Sequence, residues 1–408
     1  MGVNAVVGSS IFLFPGILAG YLGPASVLAF GLTGLLLAPV ALCFAAASRR
    51  FDRPGGPYLY ASAAFGSLPG FGVGWMCWVA EIFSWAAVAN GIAAYLTFFR
   101  EDWSAPWRVK LVAGSVILGF GALNYLGVKL GALASDFMTA AKLIPLAAFV
   151  ALGLPHADFS ALSPLAPHGW GELGKACFLA FFAFSGFEVV PVPAGEIRDA
   201  KKNVPLALLL SLGVATVLYM LVQAVAVAVH PGVVGSARPL AEAAEKFLGP
   251  AGAGLMVAGA VISTTGFTAG AALGGPRYLV ALAEDGHLPR ALARVHPRFA
   301  TPSAAIAATT GLTFAAAMLL DFSKLVDFTL IVICVQYLAA SAAAPLLAAR
   351  AGEGKPVLWL LGALGAAATL WLGAQGGMKE ILWAGGALLL GFALRAVCYR
   401  IDTGKVVP

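Results

Sequence analysis

The sequence predicts an all-α polytopic membrane protein of about twelve transmembrane helices. Three observations carry that prediction. Of 408 residues, 60% are hydrophobic and 11% charged, whereas a soluble domain carries roughly 25% charged residues; the mean hydropathy is +0.90. The apolar residues are gathered into runs of roughly 20, the length that crosses a bilayer. Gly (49) and Pro (24) recur inside those runs, which transmembrane helices tolerate because neighbouring groups re-satisfy the freed backbone.

The expected spans lie near 4–21, 26–47, 70–98, 109–126, 132–153, 173–194, 204–229, 251–283, 302–319, 326–348, 356–374 and 380–398. No separate soluble domain or low-complexity tail is left over. The longest connections, 154–172 and 230–250, are polar and contain proline. The first run starts almost at Met1 with no basic stretch before it, so no cleavable signal is expected. Cys43, Cys77, Cys177, Cys334 and Cys398 sit in or at the ends of apolar runs without Cys-x-x-Cys spacing. They read as core or lipid-facing thiols. All five histidines fall in connections, which argues against zinc or haem inside the membrane; no cofactor or metal is expected.

The net charge of +6 matters for its sidedness, and no nucleic-acid partner is implied. With the N-terminus in the cytoplasm, 16 Lys and Arg fall inside and 8 outside, with Lys142 left within the fifth span. That asymmetry favours a multi-pass protein of the cell inner membrane with both termini cytoplasmic.

Two spans carry interruptions. Span 1 contains Gly8-Ser9-Ser10 ahead of Ile11-Phe12-Leu13-Phe14-Pro15. Span 6 contains Ser185-Gly186 within Phe181-Phe182-Ala183-Phe184-Ser185-Gly186-Phe187-Glu188, with Pro191 and Pro193 beyond. Gly and Ser in series weaken a helix, and Pro stops the ladder from re-forming. The breaks lie five spans apart, an odd number, so two halves run in opposite directions through the bilayer. This pattern predicts an inverted repeat with a midplane site built from broken helices. Exposed half-helix N–H groups suit a carboxylate and unwound carbonyls suit an ammonium, so the chemistry fits a zwitterion. The alternative is that the small residues only allow close packing.

These residues resemble the amino acid–polyamine–organocation superfamily, whose Gly-Ser-Gly-Ile-Phe signature is similar to Gly8-Ser9-Ser10-Ile11-Phe12, with Ser10 in place of the last glycine. Gly55-Gly56-Pro57-Tyr58, Phe184-Ser185-Gly186-Phe187-Glu188, and Gly275-Pro276-Arg277-Tyr278 with Asp285-Gly286-His287 follow in the family's order. The resemblance covers residues 4 to about 348. It implies a LeuT-like fold of five plus five inverted helices with two appended: 1–153, 173–348 and 356–400. It implies alternating-access transport of amino acids or amines. The implied substrate site comprises Val6, Gly8, Ser9, Ser10 and Ile11, then Glu81 and Trp85, then Phe182, Ala183, Phe184, Ser185 and Gly186. The carboxylate is expected on the backbone of Gly8, Ser9 and Ser10, the ammonium on carbonyls around Phe182, Ala183 and Ser185, and Phe182 as an aromatic gate. The Cβ of Ser10 is expected to favour small substrates.

Removing the loop residues leaves Glu81, Lys142 and Glu188 as ionisable groups within spans. A charge at mid-bilayer costs ~2.5–3.5 kcal/mol on insertion scales, so such groups pair, line wet cavities or work. The alternative is a structural ion pair that fixes packing. Glu81 lies one turn before Trp85. By the resemblance, Lys142 fills the place where sodium-coupled relatives hold an ion, near Ser263, Thr264 and Thr265, so sodium is not expected. The trio is similar to the cationic-amino-acid-transporter branch, and Glu81, Lys142 and Glu188 are expected to handle a coupled proton. The reading is a proton-coupled symporter of small neutral L-amino acids, acting as monomer or homodimer among lipid; the alternative is an exchanger of cationic amino acids or polyamines. Asn90, Asn124, Gln223 and Gln336 are expected as interhelical hydrogen-bond partners.

Overall fold

The structure is a computed structural model. It describes every residue except 1–5, 9, 52–54, 128–131, 168, 192–196, 198 and 404–408, and describes only the backbone at 101, 132–137, 139, 161 and 399–403. The helices are α1 Ser10–Leu22, α2 Ser26–Ser48, α3 Pro57–Phe65, α4 Ser67–Leu96, α5 Pro106–Tyr125, α6 Ala132–Gly153, α7 Leu173–Phe184, α8 Ala200–Val229, α9 Pro239–Glu284, α10 Ser303–Leu319, α11 Phe322–Arg350, α12 Pro356–Gly373 and α13 Met378–Thr403. No strand occurs among the described residues.

Every expected span has a helical counterpart, with three differences. The connection 48–69 holds α3, a nine-residue helix. The connection 230–250 is largely helical: Pro239 opens α9, which turns at Gly249 (φ 63°, ψ −161°) before entering the expected eighth span. Span 6 stops early. α7 has 12 residues and α1 has 13, which at about 1.5 Å per residue falls short of the ~30 Å hydrocarbon core. Each is a half-helix.

The sequence forces the end of α7. Ser185 takes extended angles (φ −61°, ψ 145°), and Gly186 follows at φ 119°, ψ −22°, a region that glycine enters without a Cβ penalty. Ser185 Oγ turns back to donate to Phe182 O at 2.7 Å, occupying a carbonyl the ladder has released. A short 3-10 turn, Phe187–Val189, follows.

α4 is the central pillar, with 89% of its apolar stretch buried. It packs on α9 and α11, α2 packs on α8, α6 on α9, α5 on α10, and α1 on α7. Small residues set the closest approaches. Gly34 of α2 abuts Thr216 of α8, and Gly121 of α5 abuts Thr310 of α10, with no room for a Cβ at either glycine. α12 rests on α2 and α11, and α13 on α4 and α11. Only 11% of the α13 apolar stretch is buried, and Leu389 and Trp383 point outward. Large apolar side chains on the periphery are what a protein dissolved in lipid presents.

Several intramembrane polar groups are matched across helices. Gln223 donates to Pro15 O (3.1 Å) and Ser26 Oγ (2.7 Å), tying α8 to α1 and α2. Asn124 donates to Ala272 O at 2.6 Å. Lys110 of α5 donates to Ala317 O and Leu320 O at the end of α10 and to Asn90 Oδ1, while Asn90 Nδ2 bonds Ala86 O.

Candidate functional site

The two interruptions face one another, because α1 and α7 pack together. At the first, the chain leaves helix at Val7 and Gly8 and resumes it at Ser10; Gly8 N–H donates to Val6 O at 2.8 Å. Ser9 lies outside the described residues. At the second, Glu188 closes the broken turn. Its Oε2 accepts from Gly186 N–H at 2.8 Å and from Tyr337 O–H of α11, also at 2.8 Å. Both side chains are buried. Glu188 therefore serves as a clamp on the glycine that breaks the helix, with hydrogen bonds strengthened where the acceptor is ionised.

Beside this break lies an internal cavity of about 30 Å³. Its walls are Cys77, Ala80, Glu81 and Ser84 of α4, Ser185, Gly186, Glu188 and Val189 at the break, Phe267 and Tyr278 of α9, and Ile333 and Gln336 of α11. That volume holds one or two waters. Glu81 reaches the cavity because Gly275 of α9 leaves space beside it: a Cβ on Gly275 would lie 3.6 Å from Glu81 Cβ. Among the described residues, no hydrogen bond or ion pair reaches the Glu81 carboxylate. The two acids thus share a cavity but differ in company.

The first break adjoins the cavity through one ring. A Cβ on Gly8 would lie 3.9 Å from Phe267 Cδ2, and Phe267 is a cavity wall. Val6, Gly8, Ser10 and Ile11 are buried but do not line the cavity. Phe182 packs on Phe14 of α1 (centroids 5.8 Å) and Phe14 on Phe322 of α11 (6.3 Å), an aromatic plug across α1, α7 and α11. Phe14 lies four residues past Ser10, where α1 begins, and beyond the other end of α1 Ala25 N–H donates to Leu165 O of the 154–172 connection. Phe184 packs on Phe30 and Tyr219. Trp85 is buried with its indole N–H unmatched among the described residues, and it does not line the cavity.

Lys142 is buried in α6, away from the cavity walls. A Cβ on Gly259 of α9 would meet Pro145 at 3.0 Å, and one on Gly266 would meet Met138 Sδ at 3.3 Å. Lys142 falls between those contacts on the same α6 face, opposite the level of Ser263. Ser263 Oγ is buried with no hydrogen-bond partner among the described residues; Thr264 Oγ1 bonds Ala260 O in its own helix, and Thr265 is half-buried.

The opposite end of the bundle is latched by polar contacts. Tyr58 of α3 donates to Asp285 Oδ2 at 2.5 Å. Arg395 Nε of α13 donates to His287 Nδ1 at 3.1 Å, and Ser67 Oγ lies 3.5 Å from His287 Nε2. Arg50 pairs with Glu353 at 2.7 Å.

Sequence reasoning missed Tyr219, Tyr337, Ser84, Phe267 and Tyr278. A signal was present for the tyrosines: a phenol in an apolar run needs a hydrogen-bond partner when buried, and Tyr337 and Tyr219 each find one at a helix break.

The amino acid permease family profile matches residues 1–376. A transporter of Mycobacterium tuberculosis is 31% identical over 383 residues, covering 90% of this chain and 82% of the relative. Cationic amino acid transporter 4 of Homo sapiens is 30% identical over 351 residues, covering 80% of this chain and 55% of its own length. The methylthioribose transporter of Bacillus subtilis is 29% identical over 318 residues, covering 74% and 69%. With its bundle of long apolar helices and a family match over nearly its whole length, the chain belongs to the amino acid permease family and is a multi-pass membrane transporter.

Proposed function

We propose that this transporter carries small neutral L-amino acids together with protons, independently of sodium, by alternating access across the cell inner membrane with both termini cytoplasmic. In this reading 1–153 and 173–348 are the inverted halves and 356–400 is appended. The neighbour relations support it: α4 packs on α11 as α9 packs on α6, the pairing that exchanging the halves would generate. The substrate carboxylate meets the backbone of Gly8, Ser9 and Ser10, and the ammonium meets carbonyls between Phe182 and Ser185.

The observation that carries the proton-coupled reading is Glu81, a carboxyl group on the wall of an intramembrane cavity beside the second break with no partner among the described residues. An ionised carboxylate at that depth is costly and a neutral one is not. A bound ammonium favours the charged form, whereas a closed, dry pocket favours the neutral one, so proton and substrate are linked through Glu81. Glu188 is engaged in holding Gly186 and Tyr337, which leaves Glu81 as the carrier. Lys142, buried at the level of Ser263, puts a cation where sodium would sit and disfavours it by repulsion.

The test is purified protein in liposomes with a radiolabelled amino-acid panel, with and without an inward proton gradient. Uptake that the gradient drives uphill is expected; uptake indifferent to the gradient would remove proton coupling. One observation favours a second reading. An unpartnered Glu81 also suits a cationic side chain, and one relative is named as a cationic amino acid transporter. Exchange of lysine or arginine, with no accumulation of alanine, would establish that alternative.

A further inference from the structure

The last helix, α13, grips the bundle mainly through its second half. There Trp75 Nε1 of α4 donates to Ala387 O at 2.8 Å, a Cβ on Gly391 would lie 2.6 Å from Trp75 Cδ1, and Phe392 packs on Phe71 of α4 (centroids 5.8 Å). Earlier in the helix, no neighbouring group among the described residues comes within 4 Å of where a Cβ on Gly385 or Gly386 would stand. Arg395 continues the gripping face one turn beyond Gly391. Its guanidinium lies over the Phe71 ring at 5.7 Å, and its Nε donates to His287 Nδ1 at 3.1 Å. His287 is 6% exposed and belongs to the connection that leaves α9, where its own backbone N–H turns back to Leu282 O at 2.8 Å. One hydrogen bond thus joins the end of α13 to the end of α9.

That bond fixes the protonation state of the ring. A guanidinium has only N–H groups to offer and keeps its charge throughout the pH range of a folded protein. Nδ1 must therefore present a lone pair, which leaves the proton of the neutral imidazole on Nε2, 3.5 Å from Ser67 Oγ at the start of α4. Phe71 and Tyr58 of α3 pack their rings on the imidazole (centroids 5.4 and 6.4 Å), and Tyr58 donates its proton to Asp285 Oδ2. On the same connection Glu284 and Arg290 are exposed, and on α13 Cys398 is half-buried. A second proton on the ring would place an N–H on Nδ1 against the N–H of Arg395 and bring two cations into contact. Burial and Arg395 oppose that proton, and Asp285 favours it.

We propose that His287 and Arg395 form a proton-operated clasp. The neutral ring holds the end of α13 to the connection after α9; protonation turns the acceptor into a donor and lets that end go. α4 and α9 both wall the cavity at Glu81, so the clasp bears on the helices of the transport site. Its proton is nevertheless separate from the one assigned to Glu81, because His287 lies at the end of the bundle. In the proposed topology that end faces the cytoplasm.

The test is hydrogen–deuterium exchange of the purified full chain in detergent, without substrate, so its outcome does not depend on the transport reading. For the amides of 391–398, corrected for intrinsic rates, exchange in wild type should be about tenfold faster at about pH 5 than at about pH 7.5. His287→Gln keeps an acceptor for Arg395 and has nothing to titrate, so these amides should stay protected at both pH values. Arg395→Met keeps an apolar stem on Phe71 and removes the donor, so they should exchange fast at both. Equal protection of wild type at the two pH values, or a pH response in either variant as large as that of wild type, would overturn the clasp. A loss of protection that α8 shares in equal measure would be global acid unfolding and would overturn it as well. If one variant is not monodisperse, the other still decides.

Discussion

Substituting Gly8 with alanine separates binding from folding more cleanly than any change at the second break. Gly186 is held at φ 119°, and a side chain there strains the backbone by about 1–3 kcal/mol, so a loss of binding would be confounded with a loss of fold. Gly8 is not in that region of backbone space. A Cβ on Gly8 would find its nearest heavy atoms, Phe267 Cδ2, Ser10 Oγ and Val6 O, each at 3.9 Å, ordinary van der Waals contact. Gly8→Ala should therefore leave stability within about 1 kcal/mol, and the reduced freedom of the unfolded chain even favours it slightly. The methyl group nevertheless enters the space beside the first break, where the substrate carboxylate approaches in the proposed reading. A tenfold weaker Kd is expected, about 1.4 kcal/mol. In a thermal-shift assay at ligand equal to 100 times the wild-type Kd, ligand stabilisation should fall from about 2.7 kcal/mol to about 1.4 kcal/mol, halving the ligand-induced rise in Tm. Gly34→Ala is the converse control. Its Cβ would lie 2.7 Å from Thr216 Cγ2, so overpacking should cost about 1–3 kcal/mol with the ligand shift intact. A full ligand-induced shift in Gly8→Ala would refute the placement of the carboxylate at the first break.

Glu81→Gln should retain substrate exchange but lose pH-dependent uphill uptake; normal accumulation in this variant would clear Glu81 of the proton. Replacing external sodium with choline at fixed pH and voltage should leave uptake unchanged, and a large fall would show that Lys142 does not stand in an ion site. Tyr337→Phe removes a buried hydrogen bond to Glu188 and should destabilise the protein by about 1–3 kcal/mol, read as a lower Tm; an unaltered Tm would make the clamp incidental. Burial, with Arg395 second, holds the His287 pKa below the ordinary imidazole value of 6.5, against an opposing contribution from Asp285. A depressed folded pKa means that the unfolded chain binds more protons as pH falls. The stability from neutral His287 is thus present above pH 6.5 and lost as pH drops through the lower folded value. The Tm of wild type should fall between about pH 7 and pH 5 and that of His287→Gln should fall less; equal slopes would dissociate the latch from His287.

The sequence made the spans readable because apolar run length alone decides which segments lie in lipid. It misread helices that do not need such a run. The segment 239–248 carries Glu242, Glu245 and Lys246 and looked like a loop, although Pro239 at the first helical position is a start signal. α3 is short and sits among glycines, so neither length nor periodicity marked it. The breaks were visible because Gly, Ser and Pro act locally on the backbone. Tyr219, by contrast, joins residues 213 and 36 positions away in sequence, and no local pattern encodes such a contact.

Glu81 and Glu188 show where reading residues one at a time ends. Both are carboxyl groups in the membrane, and both line one cavity. Glu188 follows Gly186 by two residues, close enough for its side chain to fold back on the amide that the break exposes, and Tyr337 arrives from α11 to complete the clamp. Releasing that carboxylate would strip a buried N–H and a buried O–H of their acceptor, a penalty of about 1–3 kcal/mol for each. A group so held is suited to keeping the half-helix in shape and poorly suited to changing charge in every transport cycle. Glu81 leaves a continuous helix, where the backbone has no spare amide to offer it, and faces a cavity with room for water. Among the described residues no hydrogen bond is disturbed by changing its charge, so in the proposed reading its charge follows the contents of the pocket. The division of labour is thus set by the backbone beneath each acid: an interrupted helix captures its carboxylate, and an intact one leaves its carboxylate able to respond.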